Sequence, residues 1–184
     1  MYILLILLAF ILLSLSFFGS DSISNESGYL FKLRLTTIKA FIGITFFSYI
    51  ICEILSLFNL FSFNYVLISW ILINGLIIFL DKEKIKLNMF SIFSQEIIIP
   101  KKEKNILFFI FFLIILPLLL LAIFIAPNNW DSMAYHLPRV EHWIQNKNIY
   151  PYPTNIVRQL LTSPLSEYII ANFQILASTD SFSN

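Results

Sequence analysis

Long apolar runs, separated by short polar segments, set the pattern of this chain. A bilayer core about 30 Å thick is crossed by about 20 residues of apolar helix. Runs near that length predict four transmembrane helices, at residues 2–18, 37–58, 63–80 and 106–126. The first run has no positively charged region before it and no clear cleavage site, so we interpret it as a retained helix rather than a signal peptide. The pattern predicts an all-α, polytopic membrane protein.

Loop charges predict the orientation of these helices. Short cytoplasmic loops are enriched in lysine and arginine, and the loop at residues 81–105 carries six lysines, namely Lys82, Lys84, Lys86, Lys101, Lys102 and Lys104. We therefore expect this loop to face the cytoplasm, with its residues 85–99 forming either an interfacial helix or a partly ordered connector. The N-terminus, the uncharged turn at 59–62 and residues 127–184 then lie on the outer face of the cytoplasmic membrane.

The outer segment opens with a stretch that predicts an amphipathic helix. Asn128, Asn129 or Asp131 can cap a helix that begins near Trp130. Projected at about 100° per residue, the stretch has an apolar arc of Met133, Leu137, Val140 and Ile144 opposite a polar arc of Asp131, Tyr135, Arg139, His142 and Asn146. Such a helix lies flat on the membrane with its polar side outward, although Pro138 interrupts the projection. The polar side is either solvated surface or a functional site.

Three further residues carry structural expectations. Ser163 is the expected cap of a second outer helix, with Pro164 in its first position and its end near residue 177. Glu53 lies inside the second span, where we expect it to snorkel or to form a helix–helix hydrogen bond rather than to act directly. Pro117 is expected to kink the fourth span, because it removes a backbone hydrogen bond.

Composition and motif spacing exclude several classes of protein. Only 12% of the 184 residues are charged and 58% are hydrophobic, which agrees with membrane insertion. A net charge of +1 without a basic patch predicts no nucleic-acid partner. His136 and His142 are six positions apart, and no third ligand clusters with them, so we predict no metal site. Ser132 lacks the glycines of a nucleophile elbow, and the four glycines are too scattered for a nucleotide-binding loop.

The residues after the fourth span carry a resemblance to a known family. The string Asp131-Ser132-Met133-Ala134-Tyr135 resembles the Asp-Glu-x-x-Tyr motif of the GT-C superfamily of membrane glycosyltransferases, in particular the family-39 relatives of protein O-mannosyltransferases and aminoarabinose transferases. That motif also follows a transmembrane helix at the start of the first large outer loop. The longer strings WDSMAYHLPRVEHWIQN, YPTN, RQ and PLSEY resemble a subgroup of bacterial family-39-like proteins. The resemblance covers residues 105–184 and leaves residues 1–104 as a separate N-terminal bundle with its lysine-rich loop.

The resemblance implies a function and a set of site residues. Asp131 would bind or deprotonate an acceptor hydroxyl, while a polyprenyl-phosphate donor supplies the sugar at the outer face, and no cofactor is implied. From charge and position we add Tyr135, Arg139, His142 and Arg158 as candidate substrate-binding residues, with an arginine offsetting the donor phosphate. Ser132 stands where the family motif has glutamate, which implies a different acceptor or a weaker site.

Two other interpretations stay open at this point. Enzymes of this family have roughly ten or more spans, so four spans predict that the chain is the N-terminal part of a larger enzyme, with a missing C-terminal membrane part as its partner. A non-catalytic membrane scaffold, or a remnant of such an enzyme, is the alternative. Part of a transporter is a third, with Glu53 as its only support.

Overall fold

The computed structural model describes residues 2–18, 28–94, 101–124 and 130–178, and every element in these ranges is a helix. The first three helices are α1 (Leu4–Phe18), α2 (Gly28–Leu57) and α3 (Phe63–Ser94); the later ones are α4 (Lys101–Ile110), α5 (Leu116–Phe124), α6 (Leu137–Asn146), α7 (Arg158–Leu161) and α8 (Leu165–Ala177). The predicted all-α class is confirmed for these ranges. The expected caps Asn128 and Asn129 lie outside the described residues, as do the side chains of Lys101, Lys102 and Lys104.

Two helices have the length and composition to cross a bilayer. These are Phe31–Leu57 within α2 and Phe63–Ser91 within α3. The helix α1 has 15 residues, about 22 Å at 1.5 Å per residue, which is less than a bilayer core of about 30 Å. The apolar helix in the fourth predicted span, Phe108–Leu118, is also short. The count of four spans therefore stays a prediction.

The helices α1, α2 and α3 pack into one bundle. Asn74 Nδ2 donates to Leu5 O at 3.0 Å and Asn88 Nδ2 donates to Leu15 O at 2.7 Å, so α1 runs parallel to α3. A Cβ atom on Gly43 would lie 2.9 Å from Leu13 Cδ1, and the missing side chain lets α1 approach α2 closely. Both ends of α1 are thereby fixed against its neighbours.

The helix α3 is interrupted where its apolar run ends. Asp81 has φ −117° and ψ 17°, outside the helical region, and it is the first residue after the predicted third span. Its carboxylate accepts from Ser16 Oγ at 2.5 Å and pairs with Lys84 Nζ at 2.7 Å. Helix resumes as far as residue 94, so the first part of the expected 85–99 helix is present.

Two prolines are each preceded by a π-helical turn. One turn covers Phe111–Ile115 before Pro117, where Leu116 N–H donates to Phe111 O. The other covers Ser132–His136 before Pro138, where Leu137 N–H donates to Ser132 O. Proline lacks the N–H that would continue an α-helix, and the wider i→i+5 turn keeps the chain helical across that gap. Pro138 therefore reshapes the outer helix without ending it.

Residues 130–178 contact the bundle at the end where the turn between α2 and α3 lies. Phe61 N–H donates to Lys147 O at 3.1 Å, and Ile149 N–H donates to Ser56 Oγ at 3.0 Å. Asn148 Nδ2 donates to Asn59 Oδ1 at 2.8 Å. The predicted topology requires this arrangement, because it places both segments on one face of the membrane.

The helix α8 crosses α2 and α3 just beneath that turn. Trp70 Nε1 donates to Asn172 Oδ1 at 2.9 Å, and both side chains are fully buried. Tyr168 Oη donates to Glu53 Oε1 at 2.9 Å, so Glu53 forms an interhelical hydrogen bond, which was one of its two expected roles. The end of α8 at Ala177 is as predicted, but its N-cap is Pro164 and no side chain caps it.

Candidate functional site

Asp131 lies in the first turn of the outer helix and is exposed. It has helical dihedral angles and makes no capping hydrogen bond, because it belongs to the helix rather than preceding it. Trp130 beside it is 79% exposed, as expected for a ring at a membrane interface. Asp131 is thus a carboxylate presented on the surface at the start of a helix.

Arg139, two turns further along, is buried. Only 2% of it is exposed, and all five N–H donors of its guanidinium are used. Nη1 donates to Glu167 Oε1 at 2.9 Å and to Thr162 O at 3.0 Å, Nη2 donates to Arg158 O at 3.1 Å and Thr162 Oγ1 at 2.8 Å, and Nε donates to Gln159 O. Arg139 therefore joins α6, α7 and the start of α8 in one hydrogen-bonded unit.

Glu167 supplies the counter-charge of this unit and is completely buried. Its Oε1 faces Arg139 Nη1 and His136 Nδ1, each at 2.9 Å. Its Oε2 accepts from Ser166 Oγ at 2.8 Å. A carboxylate is buried without large cost only when it is paired and hydrogen-bonded, and both oxygens of Glu167 meet that condition.

Gln159 connects this cluster to the π-helical turn. In an α-helix Ala134 O would accept from residue 138, which is proline and has no N–H. Gln159 Nε2 donates to Ala134 O at 2.9 Å instead, while Gln159 Oε1 accepts from Tyr152 Oη at 3.0 Å and from Thr154 Oγ1 at 2.9 Å. The residues after α6 thus satisfy a carbonyl that Pro138 leaves without its helical donor.

The remaining aromatic residues flank the buried cluster. The ring of His142 stacks on Tyr152 at 4.0 Å, and the ring of Tyr135 lies 4.2 Å from that of His136. Burial raises the pKa of Tyr152, partly opposed by the positive charge of Arg139. Tyr152 therefore stays a neutral hydrogen-bond donor to Gln159.

The structure places the predicted site residues in two groups. Asp131 and the side chain of Arg158 are exposed, whereas Arg139, His142 and Tyr135 belong to or border the buried cluster. No hydrogen bond or ion pair joins Asp131 to the other four. The projection onto an open polar side is wrong for Arg139, because residues 150–167 fold back and cover it.

Sequence reasoning assigned no role to the residues that complete the cluster. Glu167, Gln159, Tyr152, Thr162 and His136 lie on separate segments, and Glu167 is 28 positions from Arg139. The sequence signal was the resemblance itself, whose strings hold His136, Tyr152, Gln159 and Glu167. Within the described ranges, no three His, Cys, Asp or Glu side chains are close enough to share a metal ion.

Taken together, the fold and this site define a helical protein with two apolar helices of membrane-spanning length and a buried Arg–Glu pair in the segment above them. Comparisons of the chain with protein-family models, with curated proteins and with solved structures give no match.

Proposed function

We propose that this chain takes part in the transfer of a sugar from a polyprenyl-phosphate donor to an acceptor at the outer face of the cytoplasmic membrane. In this proposal the protein has four spans, and residues 127–184 lie outside. Asp131 is the catalytic carboxylate. The resemblance of residues 105–184 to GT-C glycosyltransferases motivates the proposal.

The observation that carries the proposal is the contrast between the exposed Asp131 and the buried residues that hold its helix. Asp131 is exposed, whereas the rest of its helix is held by the buried Arg139–Glu167 pair and by Gln159. A catalytic group works best when the surrounding structure fixes its position. The anchoring of the helix that carries this surface carboxylate supports the proposal.

The chemistry follows from the charge of Asp131. Its carboxylate accepts the proton of the acceptor hydroxyl as the hydroxyl oxygen attacks the anomeric carbon. The bond from that carbon to the phosphate oxygen breaks, and the polyprenyl phosphate leaves with the electron pair. Arg139 has used all its donors internally. In this proposal Arg158, with its exposed side chain, offsets the phosphate charge, and Arg139 is a positioning residue.

The test is sugar transfer in lipid nanodiscs by this chain together with the membrane part that the resemblance implies as its partner. Undecaprenyl phosphate carrying radiolabelled mannose or aminoarabinose is the donor, and total membrane extract supplies acceptors. We expect transfer by the wild type and a loss of about a hundredfold or more in Asp131→Asn, as for removal of a general base. Glu83→Gln, at an exposed carboxylate of α3, is the matched control and should retain full transfer. Undiminished transfer by Asp131→Asn would overturn the assignment of the site.

A scaffold role is the second candidate, and one observation favours it. The charges of Arg139 and Glu167 are fully engaged with each other and with neighbouring carbonyls, as in a cluster that serves folding alone. The same assay separates the two functions, since a folded wild-type protein without transfer to any acceptor would reject catalysis by this chain and leave the scaffold.

A further inference from the structure

His136 faces a buried carboxylate with one of its two ring nitrogens. Nδ1 of His136 lies 2.9 Å from Glu167 Oε1, the oxygen that also accepts from Arg139 Nη1. Glu167 is completely buried, and a carboxylate paired with a guanidinium only accepts hydrogen bonds. Nδ1 therefore carries a proton and donates to Glu167. In the neutral ring the lone pair is then on Nε2, which makes Nε2 a hydrogen-bond acceptor.

This acceptor nitrogen is open to solvent. The His136 side chain is 28% exposed, although its Nδ1 edge lies against the buried Glu167. Nε2 has no hydrogen-bond partner among the described residues, and it is not one of their fully enclosed unpaired atoms. The ring of Tyr135 lies 4.2 Å from the His136 ring and supports it from the side. The imidazole is thus held from inside and presents an unused acceptor outside.

The π-helical turn brings His136 to the side of the helix that carries Asp131. In an α-helix, with about 3.6 residues per turn, residues five apart lie on different sides. The turn Ser132–His136 has i→i+5 bonding instead, as in the bond from Leu137 N–H to Ser132 O, and residues five apart then follow one above the other. The side chains of Asp131 and His136 therefore leave the helix about one turn, roughly 5 Å, apart. Both offer acceptor atoms to the same ligand.

We propose that the acceptor of the sugar transfer is itself a sugar unit with two neighbouring hydroxyl groups. This inference rests on the transfer proposed above and specifies its acceptor. One hydroxyl gives its proton to Asp131 as its oxygen bonds to the anomeric carbon, and the bond from that carbon to the phosphate oxygen breaks. The neighbouring hydroxyl donates a hydrogen bond to His136 Nε2 and keeps its proton. A serine or threonine side chain has one hydroxyl and would leave Nε2 unpaired.

Nitrogen-15 NMR of the full chain in nanodiscs tests the ring orientation without any transfer. The chain has two histidines, so histidine labelling gives two sets of ring signals, and His136→Asn identifies the set of His136. At mildly alkaline pH, where the ring is neutral, we expect the proton on Nδ1 and the lone pair on Nε2. A proton on Nε2 would overturn the proposal, because that nitrogen could then only donate.

Periodate treatment of the acceptors tests the pair of hydroxyls. Periodate cleaves the carbon–carbon bond between neighbouring hydroxyls and leaves single hydroxyls intact. In the nanodisc transfer assay, membrane extract that has been oxidised and then reduced should accept at least tenfold less sugar than extract treated with spent reagent. Undiminished transfer to the oxidised extract would overturn the acceptor assignment while the sugar transfer itself stands. A wild type that transfers to neither extract would instead reject the sugar transfer.

A variant of His136 tests its contact with the acceptor. His136→Asn keeps an amide N–H near the position of Nδ1, where it can donate to Glu167, and removes Nε2. We expect KM for the extract to rise about tenfold, the value of one good hydrogen bond, with kcat nearly unchanged, since the contact is the same before and during the reaction. Gln145→Asn, at an exposed residue of α6, is the control and should change neither constant. A lower kcat with unchanged KM would give His136 a structural role and overturn its place beside the acceptor.

Discussion

Removal of the charge of Glu167 tests whether the Arg139–Glu167 pair holds the outer segment together. Arg139 is 2% exposed and Glu167 is completely buried, with 2.9 Å between Nη1 and Oε1. At an effective dielectric constant of about 20, their attraction is about 6 kcal/mol. Most of this offsets desolvation, but loss of one partner from a buried pair costs about 3–5 kcal/mol, because the other charge stays buried. In Glu167→Gln the guanidinium keeps four hydrogen bonds to oxygen atoms, so we expect about 3 kcal/mol.

Hydrogen–deuterium exchange in nanodiscs measures this loss of stability in the helices that the pair joins. About 3 kcal/mol corresponds to roughly a hundredfold faster exchange, if α6 and α8 exchange through local opening. Amides in α1 should keep their protection, because α1 packs on α2 and α3. The double variant Arg139→Met/Glu167→Leu removes both charges and should recover part of the protection, since apolar replacement of a whole buried pair is often neutral. Glu83→Gln is the control for loss of an exposed carboxylate.

Two results would refute this reasoning. One is a change in α6 and α8 exchange that corresponds to less than about 1 kcal/mol in Glu167→Gln, the range of a surface pair. The other is a double variant no better protected than Glu167→Gln, which would mean that packing, and not charge, holds the segment.

Three further predictions follow from individual contacts. Gln159→Leu leaves Ala134 O without its side-chain donor, and we expect a loss of about 1–3 kcal/mol, measured as faster exchange in residues 130–146; unchanged exchange there would show that the proline gap is closed by the helix alone. Asn172→Leu leaves the buried Trp70 Nε1 unpaired and should lower the free energy of unfolding by about 1–3 kcal/mol, measured from helical circular dichroism in a denaturing-detergent titration, with no loss counting against the bond. Because the pKa of Tyr152 is raised in the folded protein, the contribution of this tyrosine to folding stability is complete below its unfolded pKa of about 10. That contribution is lost as pH rises from there through the higher folded pKa. Tyr152→Phe should therefore lose less helicity than the wild type between pH 10 and 12, and superimposable curves would contradict this.

The fold could be predicted from the sequence wherever a single segment determines the outcome. The apolar runs correctly predicted α2 and α3, and the first charge after the third run, Asp81, marks the break in α3. The end of α8 at Ala177 also followed from local pattern. Each of these features depends on the local balance of apolar and polar residues, which a sequence shows directly.

The candidate site was predictable only in its exposed part. Asp131 was indicated by a motif and by its position after the fourth predicted span, and its role stays a prediction. The partner of Arg139 could not be predicted. A turn, a short helix and a second turn separate Arg139 from Glu167 along the chain, and no spacing rule pairs residues so separated. An arginine on a projected helix was expected to face water, and only the covering segment decides otherwise.

The contact between Gln159 and Ala134 has a consequence for the order in which the outer segment is built. During synthesis, residues 130–146 emerge before residue 159, so Pro138 leaves Ala134 O without its side-chain donor until the chain beyond α6 has followed. The helix that presents Asp131 is then completed by a residue made after it. The helix that carries Asp131 therefore reaches its final support only after the segment that ends in α7 has been synthesised.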